Sequence, residues 1–377
     1  MNRADQLLIV GASTRAAAFS AVRAGLRPRC VDYFADRDLA ALCPVDRVAI
    51  EQGAAGLERA ALALEPQPLL YTGPIENHPD LVERLAQRHP LLGNAPATLR
   101  SVRDPFRVVE VLDRHRLPSP DLRMSPDGLP RDGTWLIKPI ASGGGRSIRF
   151  LEPLFLHPGE PVYFQKWVEG PSFSSLYVAS WGRAELLGVT RQLVGLPWSP
   201  FPYHGSIGPW PISSRHREAV VALGQALASS FDLVGLFGVD YILRHEEPWI
   251  VEVNPRYTAS VEVLELAQGR SLVVEHLRAC RLQPTDESVA GLSGSTARVV
   301  GKAILFASRP FVIPDVPFDA PRRRDPFAVP AIADVPWPAQ ARAGDPLMTV
   351  FASGADVEIC ARRLGKIEEH WRRTLGA

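Results

Sequence analysis

No run of about 18 apolar residues occurs in the 377-residue chain, so a membrane-crossing helix is not expected. Near the N-terminus the apolar run Leu7 to Val10 stops at Gly11, too short for a signal peptide, and a cytoplasmic location is expected. Cysteines are few: Cys30, Cys43, Cys280 and Cys360 have no C-x-x-C spacing, which indicates neither a zinc site nor a disulfide framework. An excess of one charge is missing too. A formal net charge of +1 gives no global field for nucleic acid or an anionic membrane, so the expected partners are small molecules. The turn Gly11-Ala12-Ser13-Thr14-Arg15 lacks the G-x-G-x-x-G spacing of a dinucleotide site, and a tight strand-to-helix turn accounts for it as well.

What is present describes a globular protein: 46% apolar and 22% charged residues over a length that allows two or three layers of core. Over residues 6–100, short apolar runs (7–10, 28–31, 69–71) alternate with helical stretches (16–24, 80–88). That alternation predicts a parallel sheet with crossover helices. Helices are further expected at 106–115, at 213–232 with Val220, Leu223, Leu227 and Phe231 on one stripe, from Thr258 to about Cys280, and after Ser353 and Asp356 at the C-terminus. Residues 297–307 read as a buried strand. Many of the 35 prolines lie between Pro310 and Pro346, which predicts an extended strap. Pro200 to Pro209 reads as a rigid aromatic loop beside the site, in which His204 is either a site imidazole or a structural one.

Gly235 to Leu243 and Trp249 to Arg256 read as a hairpin with a five-residue loop centred near Glu246. Pairing about that centre sets Asp240 opposite Glu252 and brings Asn254 to the same face. Directly opposed carboxylates need a cation between them, and Mg²⁺ takes such oxygen ligands together with substrate phosphates. Gly238, facing Asn254, is expected to leave room for the ion. Pro255 ends the strand and aims Arg256 across the same mouth as an anion binder.

Upstream, Lys138-Pro139 precedes Ser142-Gly143-Gly144-Gly145, whose backbone N–H groups can approach phosphate oxygens beside the Lys138 charge. The extended segment Gln165-Lys166-Trp167-Val168 is suited either to reading an adenine edge or to a core edge strand.

The pattern G-x-x-G-V-D-Y…E-V-N-P-R, with K-P-x-x-S-G-G-G-R before it, resembles the ATP-grasp superfamily, and the whole plan resembles its predicted ATP-dependent carboligase branch, related to biotin carboxylase. The resemblance implies an α/β fold with an N-terminal parallel-sheet domain (1–100), a lid subdomain carrying the Gly-rich phosphate loop (101–168), a catalytic subdomain (169–290) and a biotin-carboxylase-like appendage packed on the core (291–377). It implies ATP with Mg²⁺, or Mn²⁺ in its place, held by Asp240, Glu252 and Asn254. Lys138 and Arg256 become catalytic candidates, and Ser142, Gly143, Gly144, Gly145, Gln165, Lys166, Trp167, Val168 and Ser172 nucleotide contacts. Ser13, Thr14, Arg15, His204, Gly205 and Arg256 become candidates for the substrate. The family's usual phosphate-binding cation falls on Pro105, leaving Arg103 or Arg107 to substitute.

The activity implied is carboxylate–amine ligation through an acyl phosphate. Relatives encoded beside genes of methanopterin- and methylofuran-linked one-carbon metabolism suggest an amino acid such as glutamate joined to a coenzyme precursor. Two alternatives are carboxylation through carboxyphosphate and a non-catalytic ATP-binding subunit. A homodimer is compatible with the resemblance.

Overall fold

Short apolar strands alternating with helices build the first sheet. The computed structural model describes residues 5–152, 159, 161–282, 298–318 and 325–376. In chain order come β1 (Gln6–Val10), α1 (Arg15–Arg23), β2 (Arg27–Asp32), α2 (Arg37–Leu42), β3 (Val45–Arg47), α3 (Gly53–Leu62), β4 (Leu69–Tyr71), α4 (Pro79–Arg88) and α5 (Pro96–Val102). The strands are parallel in the order β3-β2-β1-β4. Leu8 and Val10 face a core with α3 and α4, while Leu7 and Ile9 face α1 and the body of the protein. Burial on both faces is why these strands read as short unbroken apolar runs.

The helix α6 (Pro105–Arg114) follows, capped by Asp104, whose carboxylate accepts from the Phe106 N–H at 2.9 Å. A small sheet is then made by β5 (Leu122–Arg123), β6 (Trp135–Pro139), β7 (Arg149–Phe150) and β8 (Val162–Lys166), in the order β5-β8-β6-β7. The large sheet begins with β9 (Ser172–Ser180), β10 (Arg183–Leu196) and β11 (Ser199–Gly208), followed by α7 (Ser214–Phe231), β12 (Gly235–Arg244), β13 (Glu247–Asn254), α8 (Ala259–Gln268) and α9 (Val273–Ala279). After β14 (Val299–Phe306) come the short β15 (Phe311–Val312), β16 (Ile332–Ala333) and β17 (Gln340–Ala341), then β18 (Pro346–Gly354) and α10 (Val357–Leu375). The large sheet runs β13-β12-β9-β10-β11-β14-β18-β16, so strands from the C-terminal part extend the sheet that carries the acidic ribbon.

Three local readings need correction. The stretch expected as a loop at 200–209 is strand β11: Pro200 and Pro202 lie in its bulged half, before β14 pairs from Gly205 onward, where a missing ladder donor costs little. The helix expected to run to Cys280 breaks at Gly269, whose φ of +67° forms a left-handed cap. Asp356 caps α10, accepting from the Ile359 N–H at 2.7 Å, whereas Ser353 lies in β18. Helix α7 buries Val220, Leu223, Leu227 and Phe231 as its stripe predicts. Among the described residues no helix is long and apolar enough to cross a membrane.

Candidate active site

Strands β12 and β13 pair with Asp240 opposite Glu252 and Gly238 opposite Asn254. The connection between them is tighter than the sequence predicts: only His245 and Glu246 separate the strands, both at positive φ (53° and 67°) as a two-residue hairpin turn requires. The register shifts between Asp240 and Tyr241, leaving Val251 as an extra residue on β13. That bulge has a use: the Val251 carbonyl accepts from Lys138 Nζ at 2.9 Å.

A cavity of about 320 Å³ lies between the small and large sheets, lined among others by Lys138, Tyr163, Gln165, Asp240, Glu252 and Asn254. Asp240 accepts from Asn254 Nδ2 at 3.0 Å and from Gln192 Nε2 at 2.9 Å, and Ser172 Oγ donates to Gln192 Oε1 at 2.7 Å. Ser172 thus orients Gln192, which orients Asp240; Gln192 escaped the sequence reading because only the β9-β10-β12 pairing brings it here. Lys138 Nζ also donates to Gln165 Oε1 at 3.0 Å and lies 5.5 Å from the centre of the Tyr163 ring. Gln165 therefore holds the lysine rather than standing alone at a nucleotide edge.

Arg256 donates from Nε to Glu76 at 2.6 Å, from Nη1 to the Tyr257 carbonyl at 3.1 Å and from Nη2 to Asn254 Oδ1 at 3.1 Å. Three of its five N–H groups are engaged, leaving two for an anion in the cavity it lines. Gly238 does not leave space for an ion, because a Cβ there would meet Thr258 Cγ2 at 2.8 Å. That threonine precedes α8, and its buried Oγ1 has no partner. Thr258, Ala259 and Ser260 all line the cavity, which turns the N-terminal end of α8 and its free N–H groups toward the acids.

Burial, and then the Glu252 charge, push the Asp240 carboxyl up to about 6, against the opposing pull of Ser174, Arg256 and Asn254. Two acids and an amide on one face, with Glu252 paired to Arg103 at 2.8 Å and Asp240 in no ion pair among the described residues, fit a hard divalent cation. Among the described residues no third His, Cys, Asp or Glu completes the set, so the remaining ligands would come from Asn254 and from outside the protein. Asn254 turns its NH₂ to Asp240 and its oxygen to Arg256; half a turn about its terminal bond would exchange them. Because a cation requires ionised Asp240, Mn²⁺ affinity is expected to be about tenfold weaker at about pH 5 than at about pH 7.5. Equal affinities by calorimetry across that span would remove Asp240 from the ligand set.

The Ser142 to Gly145 loop closes one side of the cavity. Its Gly144 carbonyl accepts from the Tyr203 N–H at 3.0 Å, and a Cβ on Gly145 (φ +72°) would meet the Phe201 carbonyl oxygen at 2.2 Å. Trp167 and Phe150 pack on Phe201 with ring centroids 5.8 and 5.1 Å away, so the small sheet docks on β11 through aromatic rings. Gly143, Gly144, Gly145, Trp167 and Val168 reach the cavity.

Other candidates do not converge. The Lys166 side chain is exposed and its ammonium lies 3.5 Å from Asp121, because alternation along β8 turns it away from Gln165. Thr14 is buried against Asp32, Oγ1 to Oδ2 at 2.8 Å, and Ser13 contributes its carbonyl to Thr72 Oγ1. Arg15 is sealed among Glu262, Asp334 at 2.8 Å and Asp38 at 3.8 Å, and is no free anion binder. His204 does not line the cavity that its neighbour Tyr203 lines, and burial followed by the Arg372 charge lowers its pKa. Gly205 serves strand packing: a Cβ there would meet the Lys302 carbonyl oxygen at 2.2 Å.

Residues 102–260 match the ATP-grasp domain family. The structure superposes on the biotin carboxylase domain of Hydrogenobacter thermophilus 2-oxoglutarate carboxylase with a TM-score of 0.71 at 13% identity, covering 96% of this chain and 89% of that one. It superposes on an L-amino acid ligase from Bacillus licheniformis with a TM-score of 0.68 at 15% identity, covering 98% of each chain. The match to the ATP-grasp domain spans less than half of the chain, and the two superpositions, at 13% and 15% identity, show a shared fold. An uncharacterized protein of Methanocaldococcus jannaschii is 22% identical over 197 residues, which span 49% of this chain and 48% of that protein's length.

Proposed function

We propose that the chain is an ATP-dependent ligase that joins a carboxylate to an amine, working with Mg²⁺. The observation that carries the reading is the paired Asp240 and Glu252 beside Lys138 and Arg256 in one cavity under the glycine loop. Bound there, Mg·ATP would supply a phosphoryl group to the acceptor carboxylate with release of ADP, and an amine would then displace phosphate, a weakly basic leaving group, from the acyl phosphate.

The protein's share is positioning and charge. Lys138, held by Gln165 and the bulged Val251 carbonyl, presents a fixed cation to phosphate. Asp240 is kept in place by Gln192 and Asn254, facing Glu252. Arg256 offers its two remaining N–H groups to the acceptor carboxylate or the transferring group, and the N-terminus of α8 adds backbone donors opposite. No side chain has to act as a nucleophile. Resemblance to the carboligase branch makes an amino acid such as glutamate, added to a one-carbon coenzyme precursor, the acceptor pair to try first.

ADP release measured against amino acids, coenzyme precursors and bicarbonate tests this. Release requiring an amine together with its carboxylate partner is the expected result. Release with bicarbonate alone would select the carboxylase reading, and tight ATP binding without release on any member would select the non-catalytic one.

A further inference from the structure

The family's usual cation is absent at Pro105, and two arginines flank it. Arg107 is exposed and donates to Ser101 Oγ at 2.9 Å, on the helix surface. Arg103 lines the cavity, yet each of its five N–H groups has a protein acceptor. Nε and Nη2 reach Asn77 Oδ1 at 3.0 and 2.8 Å, and Nη2 also reaches the Ser142 carbonyl at 2.9 Å. Nη1 reaches Glu252 Oε1 at 2.8 Å and the Val253 carbonyl at 2.9 Å. Asn77 Nδ2 adds a longer bond to the same Ser142 carbonyl at 3.4 Å. One guanidinium thus ties together the turn after β4, the glycine loop and an acid of the ribbon.

We infer that Arg103 and Asn77 are positioning residues: they latch the glycine loop shut and set Glu252, and Arg103 does not serve as the missing phosphate cation. A guanidinium with no free N–H could grip phosphate only by abandoning one of these acceptors. Asn77 fixes the plane of the fork by taking two of its donors on one oxygen, and the fork then meets Ser142 and Glu252 on its other edges. With the Tyr203 N–H on the Gly144 carbonyl, the loop is held at two points two residues apart. The consequence for catalysis rests on the nucleotide reading above; the latch itself is a property of the protein alone.

Arg146, exposed in this loop, provides a trypsin site for the test. In nucleotide-free protein, Asn77→Leu and Arg103→Met are each expected to raise the rate of cutting after Arg146, followed by mass spectrometry, about tenfold, as loss of charge-assisted bonds predicts. The double variant should be cut no faster than either single one. Asn77→Asp, which still offers an oxygen to both donors, should stay near the parent rate. If either leucine or methionine variant fails to fold by circular dichroism, Asn77→Ser and Arg103→Lys take its place, since neither can bridge the same acceptors. Parent-like cutting in folded variants overturns the latch. Faster cutting in a protein that binds no Mg·ATP supports the latch while removing the nucleotide reading.

Discussion

Asp240→Asn is expected to leave the free protein at least as stable as the parent at neutral pH while weakening Mg·ATP binding about a hundredfold and turnover about a thousandfold. The two halves of that result have one cause. A carboxyl lifted to about 6 in the folded protein from an ordinary 3.8 contributes stability that is fully present below the unfolded value and is lost as pH rises through about 6. At neutral pH the ionised group therefore costs the free protein at most ~3 kcal/mol, and less because it is partly open to solvent. The neutral amide removes that cost together with the charge a divalent cation needs. Thermal melting and calorimetric titration of the same variant separate the effects. A lower melting temperature with undiminished Mg·ATP affinity would show that Asp240 serves structure alone. Glu252→Gln makes a poorer probe, since it also takes the charged partner from Arg103, whose Nη1 sits 2.8 Å from Glu252 Oε1.

How much of this site could be read in advance turns on that ribbon. A five-residue loop centred on Glu246 predicts Asp240 opposite Glu252, and the structure has that pair through a two-residue turn and a bulge at Val251. The predicted loop and the observed bulge displace the register equally, so the right pair follows from a wrong connection. Periodicity exposes which residues share a face; it does not reveal a bulge, which is set by what the bent strand must reach, here Lys138. The same limit explains Gly238, whose missing side chain serves Thr258, a neighbour fixed only by the packing of α8 on the sheet. Local motifs exposed Lys138 and the glycine run because their chemistry lies within a few residues. Gln192, Glu76 and Asn77 were invisible because their partners lie between 26 and 180 positions away in sequence. The parallel N-terminal sheet was legible because alternation of strand and helix leaves few other topologies.

Arg15 illustrates the opposite error, a cation in a suggestive turn whose role is structural, and it leads to the second large expected effect. Glu262→Ala should destabilise the protein by ~3–5 kcal/mol, because it strips two buried cations of a shared carboxylate. Glu262 Oε2 lies 3.0 Å from both Arg15 Nη2 and Lys302 Nζ, and Oε1 bonds Arg15 Nη1, joining α1, α8 and β14 in the interior. Burial alone would raise this carboxyl; Arg15 and then Lys302 outweigh it and hold it at about 2. Its ordinary value is 4.5, so its contribution is present above that pH and disappears as pH falls through about 2, and the difference is worth ~3 kcal/mol. The mutational and acid-titration routes thus converge on one magnitude. Denaturant unfolding of Glu262→Ala, Arg15→Met and the double variant checks this: the losses should be far from additive, since one network is being dismantled. Mg·ATP affinity of the folded fraction should not move, because none of these side chains lines the cavity. A stable Arg15→Met variant with impaired acceptor binding would instead return that arginine to the substrate site.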